Sequence, residues 1–93
     1  MDEQIKRDIE IAANILKESG AEEVYAFGSA AHGNPRPDSD IDLAVKGLPP
    51  EKFFHAMAIA SMAISRPLDL IDLDQKDLFT DYLEQEGELQ RVA

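Results

Sequence analysis

Ile5, Ile9, Ala12, Ala13 and Leu16 recur at intervals of three and four residues. That spacing predicts a helix over 3–18, with Gly20 placed to stop it. The period then changes. "EEVYAF" (22–27) is short, β-branched and aromatic, is bounded by Gly28, and reads as a strand. "GSAAHG" predicts a turn opening a short helix, which the loop-forming "GNPRP" ends. In "DIDLAV" (40–45) alternation is strict, with Ile41, Leu43 and Val45 on one face and Asp40, Asp42 and Ala44 on the other. Pro49-Pro50 opens a helix through Ile64, whose apolar residues Phe54, Met57, Ala58 and Met62 lie on neighbouring turns. Pro67 precedes a third strand, "LDLIDL" (68–73). Asp74 is the expected cap of a last helix carrying Leu78, Phe79, Tyr82 and Leu83, with Gly87 near its end.

The order α-β-α-β-α-β-α predicts an α/β (α+β) protein, a small sheet covered by helices, in which 1–93 form a single domain. With 93 residues the core is expected to be modest. No apolar run approaches the roughly 20 residues of a membrane span, and Met1 is followed by acids rather than by a basic leader. Cysteine is absent, so neither a disulfide framework nor a thiolate metal site is expected. These features predict a cytoplasmic protein with no membrane partner. The net charge is −10, nine Lys and Arg against nineteen Asp and Glu. Tight binding to a nucleic-acid backbone relies on cationic side chains releasing counterions. With no basic stripe, a nucleic acid is not expected as a direct ligand.

Charge also concentrates locally. Asp38, Asp40 and Asp42 crowd the mouth of the second strand, a few residues after Gly28-Ser29. Carboxylates at i and i+2 of a strand share a face, roughly 6 to 7 Å apart. Bare, they repel; a divalent cation makes them ligands, since Mg²⁺ takes oxygen donors and keeps waters and substrate phosphates. The plainer alternative is a solvated face of an edge strand. An EF-hand fails, because Leu43 stands where that loop requires Gly and Pro49 where it requires Glu. A phosphate loop of the Gly-Lys-Ser/Thr type fails at Asn34 and Pro35. What remains is a Gly-Ser turn leading into a helix. There Gly28 permits close approach of a ligand, Ser29 adds a hydroxyl, and the helix end offers N–H donors to a phosphate. Ser29 as a simple N-cap is the competing reading. Held together by a metal, the turn and the acids would be apparatus for phosphoryl-type transfer. A third carboxylate is expected from Asp69 or Asp72, which have opposite parity on the third strand; Asp69, between Leu68 and Leu70, is the one assigned.

Gly28-Ser29, Asp40-Ile41-Asp42 and Asp69, in that order, resemble the pattern of the DNA polymerase beta superfamily of nucleotidyltransferases. The likeness extends over nearly the whole chain, whose brevity is similar to that of the minimal nucleotidyltransferase (MNT) group. The resemblance implies a mixed sheet of the nucleotidyltransferase fold. It also implies transfer of a nucleoside monophosphate from ATP, or another nucleoside triphosphate, to an acceptor. Asp40 and Asp42 would bind Mg²⁺ or Mn²⁺, Asp69 would complete the site, and Gly28 and Ser29 would hold the triphosphate. Many MNT proteins are antitoxins of HEPN-type toxins, some adenylylating the toxin, which implies a protein partner here. Where many members read Gly-Ser-x-Ala-Arg-Gly, this chain has His32 in place of Arg. A permanent cation is lost, for which a protonated His32 would substitute in part; an exposed loop histidine is the competing reading. Two functions therefore stand side by side: an Mg²⁺-dependent adenylyltransferase acting on a protein hydroxyl, and a non-catalytic antitoxin or acidic binding module that neutralises its partner by contact.

Overall fold

The computed structural model describes residues 3–28 and 40–93. Helix α1 (Glu3–Glu18) buries Ile5, Ile9, Ala12, Ala13 and Leu16 along one stripe, as their spacing predicts. Gly20, at φ 121°, turns the chain off the helix in a conformation that side chains disfavour. Strand β1 (Glu23–Ala26) runs antiparallel to β2 (Ile41–Lys46), and β2 pairs in parallel with β3 (Leu68–Asp72). A parallel pair needs a crossover, and α2 (Pro50–Ala63) supplies it with Pro50 in the first turn. Helix α3 (Leu78–Gln85) follows, then a two-residue strand β4 (Gln90–Arg91) antiparallel to β1. The sheet order is β3-β2-β1-β4, a mixed sheet as expected. The short helix expected after Gly28 lies outside the described residues.

Strict alternation in β2 divides the core in two. Ile41, Leu43 and Val45, with Val24, Ala26 and Leu70, pack against α1 and α2. Ala44 faces the other way, with Phe27, Leu73 and Leu83, beneath α3. Three expectations need correction. In α2 the inward residues are Ala56 and Ala60, flanked by Phe53, Met57 and Ile64. Of the stripe read from the sequence only Met57 packs; Ala58 is exposed, and Phe54 and Met62 are 73% and 86% exposed. Apolar residues occupy most of the helix circumference, so periodicity does not set its phase. Packing does, because Ala56 and Ala60, buried in the same core as Ala12 and Ala13, are small enough to let helices approach closely.

The cap of α3 is Asp77, not Asp74. Its side chain accepts the Thr80 N–H, while the Thr80 hydroxyl accepts the Asp77 N–H. Asp74 instead accepts the Gly47 N–H at 2.7 Å, tying the turn after β3 to the end of β2. Strand β4 was not expected at all. It carries no apolar alternation and forms through backbone contact with β1, Val92 N–H donating to Val24 O at 2.9 Å.

Asp8 lies inside the α1 stripe at 1% exposure, where an acid must be paired. It accepts from Gln4 at 3.0 Å and from the Ser65 hydroxyl at 2.7 Å, and Arg66 Nε lies 3.6 Å away. This clasp fixes the first turns of α1 to the segment that feeds β3. Replacing Asp8 by Ala strips the carboxylate from a nearly buried guanidinium, and is expected to cost about 3 kcal/mol of stability. Urea denaturation would show this as a lower midpoint at unchanged slope. A loss under about 1 kcal/mol would mean that the clasp contributes no more than a surface pair.

Candidate active site

Register places the carboxylates. Asp42 follows Ile41 on β2, and the parallel pairing sets its Cα opposite that of Asp69 on β3. Asp42 is half-buried; Asp69 is exposed, as is Asp40 just before β2 begins. All three positions share the sheet face that carries Ala44, away from α1 and α2. The carboxyl of Asp42 is held above its ordinary value of 3.8, first by burial, then by the charges of Asp69 and Asp40. Phe27, which follows β1 and is bonded through its backbone to Asp42, is buried beneath α3.

The chain leaving β1 meets the same carboxylate. Phe27 N–H donates to the Asp42 carbonyl at 3.1 Å, and Gly28 then turns at φ 63°. A Cβ on residue 28 would stand 2.5 Å from Asp42 Oδ2. Glycine is favoured here by the backbone angle, and a Cβ would also force the Asp42 carboxylate to move. Gly28, Asp40, Asp42 and Asp69 are therefore gathered at one end of the sheet. Ser29 and His32 lie outside the described residues. Asp72 is elsewhere: its Cα pairs with Val45 and its Oδ1 accepts the Asp74 N–H at 2.9 Å, closing the turn after β3.

The donor set fits a hard divalent cation, since oxygen ligands that repel one another are what Mg²⁺ or Mn²⁺ would relieve. Among the described residues no three such side chains are drawn around one point. Asp40 and Asp69, both exposed, have the rotamer freedom to turn toward Asp42. When bound, such a cation supplies charge neutralisation at phosphate oxygens. Phe27 was not singled out from the sequence as part of this site. Its i, i+2 relation to Tyr25 was the available signal, placing both on the face of Asp42 and Ala44.

The sequence profile of the polymerase beta nucleotidyltransferase family matches residues 6–89. The chain belongs to this family. No curated protein matches it by sequence. Among solved structures it is similar to a toxin–antitoxin crystallised with AMP-PNP, at 21% identity and TM-score 0.70, covering 90% of this chain and 70% of that one. It is also similar to a mutant of the toxin–antitoxin MntA–HpeT, at 21% identity and TM-score 0.66, covering 86% and 67% of the respective chains. A second MntA–HpeT mutant matches at 18% identity and TM-score 0.68, with 94% and 70% covered. At these identities the likeness carries the nucleotidyltransferase fold. Among the described residues no helix is long and apolar enough to cross a membrane.

Two outcomes follow for this nucleotidyltransferase fold. A folded-state pKa raised above the unfolded value gives stability that is complete below about pH 4 and lost as pH rises through the raised value. Asp42→Asn removes that loss. Without divalent ions the variant is expected to melt above wild type at neutral pH, the gap closing as pH falls toward 3.8; a gap constant with pH would contradict it. Gly28→Ala is expected to destabilise by about 1–2 kcal/mol from the left-handed backbone alone, and to swing the Asp42 carboxylate aside. Its far-ultraviolet dichroism should stay native while any Mg²⁺-dependent rise in melting temperature disappears. An unchanged rise would show that Gly28 does not position Asp42.

Proposed function

We propose that the protein is a minimal nucleotidyltransferase, a single domain over 1–93 that transfers AMP from ATP to a hydroxyl of a protein partner. The partner proposed is a HEPN-type toxin, and the protein is its antitoxin. The observation that carries this reading is the register of Asp42 against Asp69, with Asp40 alongside and Gly28 pressed onto the Asp42 carboxylate. Similarity in fold to toxin–antitoxin proteins supports the choice of a protein partner.

In this reading Asp40, Asp42 and Asp69 hold Mg²⁺ or Mn²⁺, while Gly28, Ser29 and His32 hold the triphosphate. Gly28 leaves its backbone open to phosphate, and His32 in protonated form adds a cation. The acceptor oxygen bonds to the α-phosphorus, the bond to the pyrophosphate oxygen breaks, and pyrophosphate leaves. The hydroxyl proton passes to a carboxylate, the role assigned to exposed Asp69. A domain this small has little surface to orient a second substrate, so the partner must present its own hydroxyl in line with the leaving group.

The second reading, an antitoxin acting by contact alone, is favoured by His32 standing where many family members have Arg. One experiment separates the two. The protein is mixed with the polypeptide encoded beside it, labelled ATP and Mg²⁺, and the partner's mass is measured. Transfer of AMP is expected, and should fall at least about a hundredfold with Asp40→Asn or Asp42→Asn. A tight complex with no modification under any metal or nucleotide would establish the contact-only reading.

A further inference from the structure

Toward the end of β3 away from Asp69, helices α2 and α3 and the strand enclose a groove of about 530 Å³. Its lining includes both Leu70 and Ile71, consecutive strand residues that point to opposite faces of the sheet. The groove therefore straddles the edge of β3 rather than resting on either face. In the order β3-β2-β1-β4 that edge is the outer one, and among the described residues no strand lies beside it.

The walls are aromatic. Phe53 and Phe54 rise from α2 and Phe79 from α3, and Phe54 and Phe79 remain 73% and 49% exposed. The rim is acidic. Asp72, Asp74 and Asp77 each commit a carboxylate oxygen to a backbone N–H, of Asp74, Gly47 and Thr80 in turn. Three negative charges are thereby fixed along one lip, and among the described residues no lysine or arginine lines the groove. Neither Asp42 nor Asp69 takes part in it.

We propose that this groove docks an extended, basic segment of a partner polypeptide. The segment pairs along the outer edge of β3, seats an apolar side chain between Phe54 and Phe79, and sets Lys or Arg against the acidic lip. This rests on the proposed reading that the protein acts on a protein partner, and adds where that partner binds and what it presents. An edge strand is recognised by main-chain pairing, with alternate side chains filling pockets, which selects an extended segment over a helix. Charge selects against a second copy of this chain, which would bring a net charge of −10 to an acidic lip.

The test is titration of the ¹⁵N-labelled full chain with a synthetic heptapeptide alternating Lys with Val and Phe, blocked at both ends. The same peptide with Glu for Lys is the control. Amide shifts are expected at Phe53, Phe54, Leu70, Ile71 and Phe79 with the Lys peptide only. Phe54→Ala and Asp74→Asn, the latter keeping an oxygen for the Gly47 N–H, should each weaken binding at least about fivefold. Asp42→Asn should bind the peptide as wild type does, which separates docking from chemistry at the carboxylates. Equal binding of the Glu peptide, shifts centred on Asp40, Asp42 and Asp69, or no shift at millimolar peptide would overturn the groove assignment. Binding at the groove by a protein that never transfers AMP would leave docking standing and remove the proposed chemistry alone.

Discussion

Parallel pairing of β2 with β3 in a single register is the constraint on which the rest of the structure depends. It sets Asp42 opposite Asp69, Leu43 opposite Leu70 and Ala44 opposite Ile71. A slip of one residue would turn Ile41, Leu43 and Val45 toward α3 and drive Asp42 against α1 and α2. Burial of those three side chains, with Val24 and Leu70, therefore does two things. It holds the sheet to its helices, and it forces like charges together on the opposite face. Asp42 is unfavourable where it stands, half-buried and facing two other acids, and the apolar face keeps it there.

Much of this was legible in the sequence, and the reasons are specific. Period-2 alternation over 40–45 is unambiguous, so the faces of β2 and the grouping of Asp40 with Asp42 followed from it. Helix α1 has a polar side that fixes its phase. Helix α2 has no such contrast, and its inward face was set by how closely Ala56 and Ala60 allow a neighbour to approach, which is a tertiary fact. Strand β4 is equally tertiary, since Gln90 and Arg91 are both exposed and have no preference that marks them as a strand. Asp8 was hidden for a different reason. An acid between Arg7 and Ile9 reads as surface until Ser65 and Arg66 are brought to it across the fold. The roles of Ser29 and His32 rest on the motif, whereas Gly28 is also explained by the steric demand of Asp42.

The acids on and after β3 serve unlike purposes. Asp69 has its neighbours' charge against it, and its value lies in what that repulsion would attract. Asp72 and Asp74 have backbone N–H groups to satisfy and so help to build the turn that leads into α3. In the proposed reading, one strand and its following turn thus separate a chemical function from a structural one by side-chain parity and by hydrogen bonding, without any change in residue type. Composition alone would have counted all of them as solvating charge.

Strand β4 and the two residues after it cover the outer edge of β1, Val92 and Ala93 bonding to Val24 through the backbone. An edge pairing opens at lower cost than the sheet between β1 and β3, which is paired on both sides of β2. Each opening uncovers N–H and C=O groups along a strand that carries Tyr25 and leads into Phe27, a template for adding a strand from another molecule. Glu23 on β1, which Arg91 of β4 reaches at 3.6 Å, keeps a charge at that edge when the backbone bonds break. A charge at that edge disfavours the addition of a strand from another molecule.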